Sequence, residues 1–256
     1  MSNFNILLKS HFLEFKRTHK WLVYILTFIA ISLLSSVVTK YLFDFVTPLL
    51  ESMGFVYYAT VADAYGEFVN NMSEIGFFLI TIMFSGALVK EKTSSTYYVL
   101  KSNNVTEKEI VLAHYVSKLI LITGSYLISI FVFVISNLIF FKAYTGYRGV
   151  VSLSLVYLFL VFALSFAMFI SSFIKKRSAG IAISIPAYLA LSIIAIIPKI
   201  GIYTPFYSLT LAREIMMQSN VVTMDYIIGF SSIIIFIVGL LIGSIYIYSN
   251  KIDNRG

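Results

Sequence analysis

Long uncharged apolar runs alternate along this chain with short polar stretches that carry nearly all of its charge. A helix needs roughly 20 residues to cross about 30 Å of hydrocarbon, with about 17 to 25 observed. Six stretches meet that requirement: 21–38, 72–89, 119–141, 150–174, 179–197 and 227–249. The second has its apolar core at Ile75–Val89 and reaches full length with Met72 to Glu74. The apolar cores of these runs, from Trp21, Ile75, Leu119, Val150, Ala179 and Ile227 onward, hold no Asp, Glu, Lys, Arg or His. Pro186 lies inside the fifth and predicts a bend there, because proline removes one backbone hydrogen bond.

The segments between the runs are patterned too. Over residues 4–20, Phe4, Leu7, Leu8, His11, Phe12 and Phe15 fall on one helical sector, and Lys9, Lys16 and Lys20 on another. That arrangement predicts a helix lying in the membrane interface, with Phe4, Leu8, Phe12 and Phe15 in lipid and Lys9 and Lys16 near headgroups. Thr39 to Glu74 and Pro198 to Tyr226 are too apolar for free loops, and predict short helices on the opposite, outer face. From Lys90 to Lys118 the chain reads KEKTSSTYYVLKSNNVTEKEIVLAHYVSK. Ser94, Ser95 and Thr96 are capping residues ahead of Tyr97, Tyr98, Val99, Leu100 and Lys101, and Ser102, Asn103 and Asn104 form a turn signal. Thr106 with Glu109 three residues on predicts a capping box that opens the helix of span three. A short amphipathic helix therefore precedes that turn, and its exposed aromatic and aliphatic residues point to a protein partner.

Composition narrows the class. The 256 residues are 59% hydrophobic and only 12% charged, with mean hydropathy +0.90. A soluble domain carries about 25% charge, so a soluble enzyme, a disordered chain and a disulfide scaffold are all excluded. The expected fold is an all-α membrane protein in which residues 1–256 form one transmembrane domain. With the N-terminus in the cytoplasm, 14 of the 19 basic and 5 of the 12 acidic residues fall on the inner side. That is +9 inside and −2 outside, and together these make the +7 of the whole chain. The basic excess thus reads as an orientation signal rather than a nucleic-acid surface, with both termini cytoplasmic. Twenty residues precede Trp21, and its 18-residue run exceeds the roughly 7–15 of a secretory signal, so the run reads as a retained helix.

Catalytic chemistry is sparse. His11, His19 and His114 are far apart in sequence, and the chain has no cysteine, HExxH, GxSxG or paired intramembrane aspartates. Intramembrane enzymes and ion-coupled transporters rely on ionisable groups at membrane depth, so a non-catalytic chain without a metal site is expected. No GxxxxGK[ST] phosphate loop occurs, and any ATP hydrolysis must reside on another chain. Small residues recur at helical spacing as Gly239 and Gly243 in span six and as Ala163, Ala167 and Ser171 in span four, where they permit close helix approach.

Together these features resemble the permease subunits of bacterial type-2 ATP-binding-cassette exporters, six-span proteins whose ATPase is a separate chain. At sequence level the likeness rests on Glu91, Lys92, Ser95, Thr96 and Leu100, then Thr106, Glu109, Ile110, Leu112 and Ala113, in register without a gap. The chain departs from the family pattern with Ser95 for Gly, Tyr98 for Glu, Asn104 for Pro, Glu107 for Arg and His114 for Lys. The resemblance implies that Glu91, Lys92, Ser95, Thr96, Tyr97, Tyr98, Leu100 and Lys101 form a coupling helix that docks on the ATPase. It also implies two ATPase copies, ATP and magnesium held there and not on this chain, a second permease copy or paralogue, surrounding lipid, and a bacterial plasma membrane. The size and outer helices look most like permeases that export antimicrobial peptides or phenol-soluble modulins. The expected cargo is accordingly hydrophobic or amphipathic, with a peptide first and lipid, polysaccharide or drug as alternatives. A non-transporting immunity or sensor subunit is the other class. No residue is singled out for substrate contact.

Overall fold

The computed structural model describes residues 3–54, 58–89, 100–143, 145–197, 199–217 and 223–253. The described residues are helical almost throughout and contain no strand. Helix α1 is Asn3–Arg17 and α2 is Lys20–Ser52; His19, at φ 52°, makes the sharp break between them. Helix α3 (Val61–Asn71) passes through a π-helical turn, Met72–Gly76, into α4 (Phe77–Phe84). Then follow α5 (Glu107–Phe141), α6 (Gly146–Phe173) and α7 (Arg177–Ile196). A 3₁₀ turn at Gly201–Tyr203 leads to α8 (Tyr207–Met217), and α9 is Thr223–Asp253.

Six helical stretches are long and apolar enough to cross a membrane: Lys20–Pro48, Val61–Val89, Glu107–Phe141, Gly146–Phe173, Arg177–Ile196 and Met224–Asn250. They coincide with the six expected runs, but several are longer. Hydropathy marks only the part of a helix suited to lipid, whereas backbone hydrogen bonding continues as long as the side chains tolerate it. Helix α2 continues past Val38 through Lys40 and Asp44, an i,i+4 ion pair at 3.1 Å on the exposed side. Pro48 and Pro186 both lie inside unbroken helices.

Contacts between helices fix their directions. Ser32 meets Ser129 and Ser36 meets Asn137, so α2 and α5 run parallel. Tyr115, Thr123 and Tyr126 of α5 meet Ser165, Tyr157 and Leu153 of α6, an antiparallel pairing. Phe162 meets Phe236 and Met168 meets Ser244, so α6 and α9 run parallel. Gly180 sits against Ser85 while Tyr188 packs on Phe77, which makes α7 antiparallel to α4. The six stretches therefore alternate up and down, with the two ends of the described chain at the same end of the bundle.

Helix α6 is the centre: Phe159, Leu160, Phe162, Ala163, Leu164, Ala167 and Met168 are almost wholly buried. The small-residue stripe expected there is used. Ala163, Ala167 and Ser171 are all buried, and Ser171 Oγ accepts the backbone N–H of Leu88 at 2.8 Å, just beyond the break after α4. One apolar cluster joins Leu7 of α1 to Tyr248 of α9.

Candidate functional site

The turn between spans two and three is the first place to look. Of the residues expected to form the coupling helix, Glu91, Lys92, Ser95, Thr96, Tyr97 and Tyr98 lie outside the described residues, and Leu100 and Lys101 lie within them. The backbone is helical at 100–102 and turns at Asn104, whose φ of 55° suits an asparagine. Leu100 O accepts from the N–H groups of Asn103 and Val105, and Leu100 packs against the apolar core. The capping box forms as expected: Thr106 Oγ1 accepts from Glu109 N at 3.3 Å, and Thr106 N donates to Glu109 Oε2 at 2.9 Å. Lys101 pairs with Glu107, and Asn3 of α1 donates to Asn103 O at 3.3 Å. The downstream end of the segment is thus fastened to both α1 and α5.

Helix α1 explains why. Its apolar stripe divides. Leu7, His11 and Phe15 turn inward and are buried, Phe4 and Leu8 are half-buried, and Phe12, Lys9 and Lys16 are exposed. The inward face meets α5, where the His11 and His114 rings lie 3.9 Å apart between centroids. Two histidines more than a hundred positions apart become neighbours. Lys118, one turn after His114 and equally buried, places its Nζ 2.7 Å from His114 Nδ1 and 3.1 Å from His114 O. The same Nζ stands 5.5 Å from the centre of the Phe84 ring.

These groups line a cavity of about 480 Å³ at this end of the bundle. Glu14 and Lys20 close one side with an ion pair at 3.2 Å, and Arg177, at the start of α7, closes another. The stem of Arg177 lies flat on Gly86, where a β-carbon would come within 2.4 Å of its Cγ, and its guanidinium donates to Ile82 O at 3.4 Å. Met83, Phe84 and Ala87 supply apolar wall.

The opposite end carries a second polar grouping. Arg213 of α8 is half-buried, and its Nε finds no hydrogen-bond partner among the described residues. Burial lowers its pKa from the usual guanidinium value, and Glu74, Tyr188 and Glu67 work in the opposite direction. Beneath it, Tyr188 packs against Phe77, Phe78 and Phe206 at centroid distances of 4.6, 5.1 and 5.2 Å. Between the two ends, the α2–α5 seam is uncharged: the Ser32 and Ser129 hydroxyls are 2.6 Å apart, and Ser36 donates to Asn137 Oδ1 at 3.0 Å. Asn71 donates to Ser35 Oγ at 3.0 Å. Among the described residues no group of three or more potential metal ligands comes together.

Sequence patterning located the capping box and the amphipathic first helix, but it kept the histidines apart. The available signal was His11 inside an apolar stripe, together with the i,i+4 pair His114 and Lys118. No protein-family model matches the chain, and no curated protein does. What stands is a helical chain with six helices long and apolar enough to make a multi-pass membrane protein.

Proposed function

We propose that this chain is the transmembrane permease subunit of an ATP-driven exporter in a bacterial plasma membrane, with both termini in the cytoplasm. The observation that carries the reading is the turn after span two, which is capped, ion-paired and fastened to α1 within a bundle of six alternating helices. A segment that receives force from a partner needs such an anchorage. A loop that merely re-enters the bundle does not.

In this reading Glu91 to Lys101 dock on a separate ATPase, which binds ATP and magnesium, and this chain performs no catalysis. Two permeases, identical or paralogous, stand on two ATPases. Closure of the ATPases moves the coupling segments, and the rigid join at Thr106–Glu109 passes that motion into α5 and, through Asn3, into α1. Helix α1 lies along the cytoplasmic interface, with Lys9 and Lys16 towards headgroups and Phe12 in lipid. Helices α3 and α8 cap the outer face. The hydroxyl-lined and aromatic interior suits a hydrophobic or amphipathic cargo, a peptide in first place, better than a small ion.

The test is a pull-down of the tagged chain from native membranes in mild detergent, followed by ATPase assays on the recovered complex. A stoichiometric P-loop ATPase is expected. Tyr98→Asp should lower cargo-stimulated ATP hydrolysis about tenfold or more, the size of an interface hot spot, with an unchanged melting temperature. A chain recovered without a nucleotide-binding partner, or a Tyr98→Asp variant of normal activity, overturns the assignment. A passive sensor or immunity subunit would then remain.

A further inference from the structure

Span two is interrupted just before its end. The backbone turns at residues 85–86 and is helical again at 87–89, with Ser85 at φ −62° and ψ −14°. A serine beside a glycine is one of the few sequence features that let a helix kink sharply. In an unbroken helix Ile82 O would accept from Gly86 N–H, and Leu88 N–H would donate to Phe84 O. Here side chains from two other helices meet these groups. Arg177, at the start of α7, donates to Ile82 O at 3.4 Å, and Ser171 of α6 accepts from Leu88 N–H at 2.8 Å. One of these bonds holds the chain before the break and the other holds the chain after it.

The corner between α6 and α7 is shaped to the break. An added β-carbon at Gly86 would come within 2.4 Å of the Arg177 stem, and one at Gly180 within 2.8 Å of Ser85 Oγ. Each side of the joint thus presents a glycine to the other. Val89, past the break, packs with Ile170 and Ile174 in an apolar cluster separate from the main core. Ser85 Oγ is wholly buried and has no hydrogen-bond partner among the described residues. A helical serine can bond back to the carbonyl four residues earlier, here Thr81 O, so a changed bend would supply the bond that this one leaves unmade.

We propose that Ser85 and Gly86 form a hinge in span two, and that Arg177 and Ser171 are positioning residues that latch it from the α6–α7 corner. When the latch opens, the chain beyond Gly86 swings while α4 stays packed against α6 and α7. The hinge itself requires no partner. Its role rests on the exporter reading: with a hinge upstream and the fastened turn at residues 100–109 downstream, a push on the segment between them reaches α5 and α1 without dragging α4.

Two experiments separate the hinge from its role. The first follows hydrogen exchange by mass spectrometry in the full-length purified chain in detergent. Ser171→Ala and Arg177→Gln should each raise exchange at residues 86–89 by about two- to tenfold, the effect of one lost hydrogen bond on a local opening. Exchange in α4 and the melting temperature should stay unchanged. The second uses the complex recovered from native membranes, with an amphipathic helical peptide added. Met83 and Ala87 lie four residues apart astride the joint, and both line the cavity at this end. Met83→Cys with Ala87→Cys, bridged by a short bis-methanethiosulfonate, should lose peptide-stimulated ATP hydrolysis, and reductant should restore it. The chain has no native cysteine to interfere. Exchange at 86–89 that neither variant raises, or that rises equally throughout α4, overturns the hinge. Full stimulation in the bridged complex overturns its role. Recovery without an ATPase overturns the exporter reading instead, and the exchange result still decides the hinge.

Discussion

Glycines show most sharply what one atom does in this bundle. Gly201 opens the 3₁₀ turn after α7, and a β-carbon there would lie 2.1 Å from the carbonyl oxygen of Ala195 and 2.9 Å from its carbon. Both are backbone atoms of the preceding helix end and cannot rotate away. Gly201→Ala should therefore destabilise the protein by about 2–4 kcal/mol, the range of severe local clashes. Gly239, in the middle of α9, has nothing within 4 Å of its missing side chain. Gly239→Ala should gain about 0.5–1 kcal/mol from helix propensity. Thermal unfolding in detergent reads both, and a loss at Gly239 would mean that a second copy packs there. The sequence spacing shows Gly239 and Gly243 as an equivalent pair, but they are not equivalent. Gly243 faces the ring of Phe169, whose edge would lie 3.0 Å from an added β-carbon, and Gly239 faces outward. The difference is set by a residue on another helix, which no local pattern reports.

At the scale of elements, the α2–α5 seam shows how helices cohere when their surroundings are as apolar as their side chains. Packing of small residues and hydrogen bonds across the interface then take the place of the hydrophobic effect. Ser32 lies 2.9 Å from the carbonyls of Phe28 and Ser129 and 2.6 Å from the Ser129 hydroxyl, with both serines fully buried. Ser32→Ala and Ser129→Ala should each cost about 1 kcal/mol. The double variant should cost less than their sum, by a coupling of about 0.6–1.7 kcal/mol. Additive effects in a double-mutant cycle of unfolding free energies would show that each serine serves only its own helix. Much at this scale is legible beforehand. Thr106 and Glu109 announce their box by spacing and residue type. Thr60 and Asp63 form another at the start of α3, with the same Thr-x-x-acid spacing, and could have been read in the same way. The π-helical turn at Met72–Gly76 could not. It ends at Gly76, which packs so closely under Leu160 of α6 that an added β-carbon would lie 2.9 Å from its Cδ2, a contact with another helix that no local pattern reports.

For the whole molecule, the up–down order of six helices was implicit in the apolar runs, because consecutive helices that each cross a bilayer must alternate in direction whatever the length of their connections. The return of α1 onto α5 was not, because an amphipathic stripe states that a face is covered without stating by what. Thus the histidine pair, and the basic cavity around it, emerge only from the fold. The proposed orientation follows from the charge asymmetry between the two ends. A net +9 against −2 across the two sides is the basis for proposing that the end with Lys16, Lys175 and the cavity faces the cytoplasm. The chain has no cysteine, so single reporters can be introduced without removing native thiols. Lys16→Cys and Lys175→Cys, both at exposed positions of that end, should react with a membrane-impermeant maleimide only after the cells are opened. Tyr203→Cys and Lys142→Cys, exposed at the other end, should react in intact cells. The reverse pattern would invert the protein, put the turn at Leu100–Glu109 beyond reach of any cytoplasmic ATPase, and remove the structural basis for coupling. A pattern in which all four positions react in intact cells would mean that the bundle does not separate two compartments. Because the four positions sit on four different segments outside the spans, the labelling also tests the up–down order itself, independently of any partner.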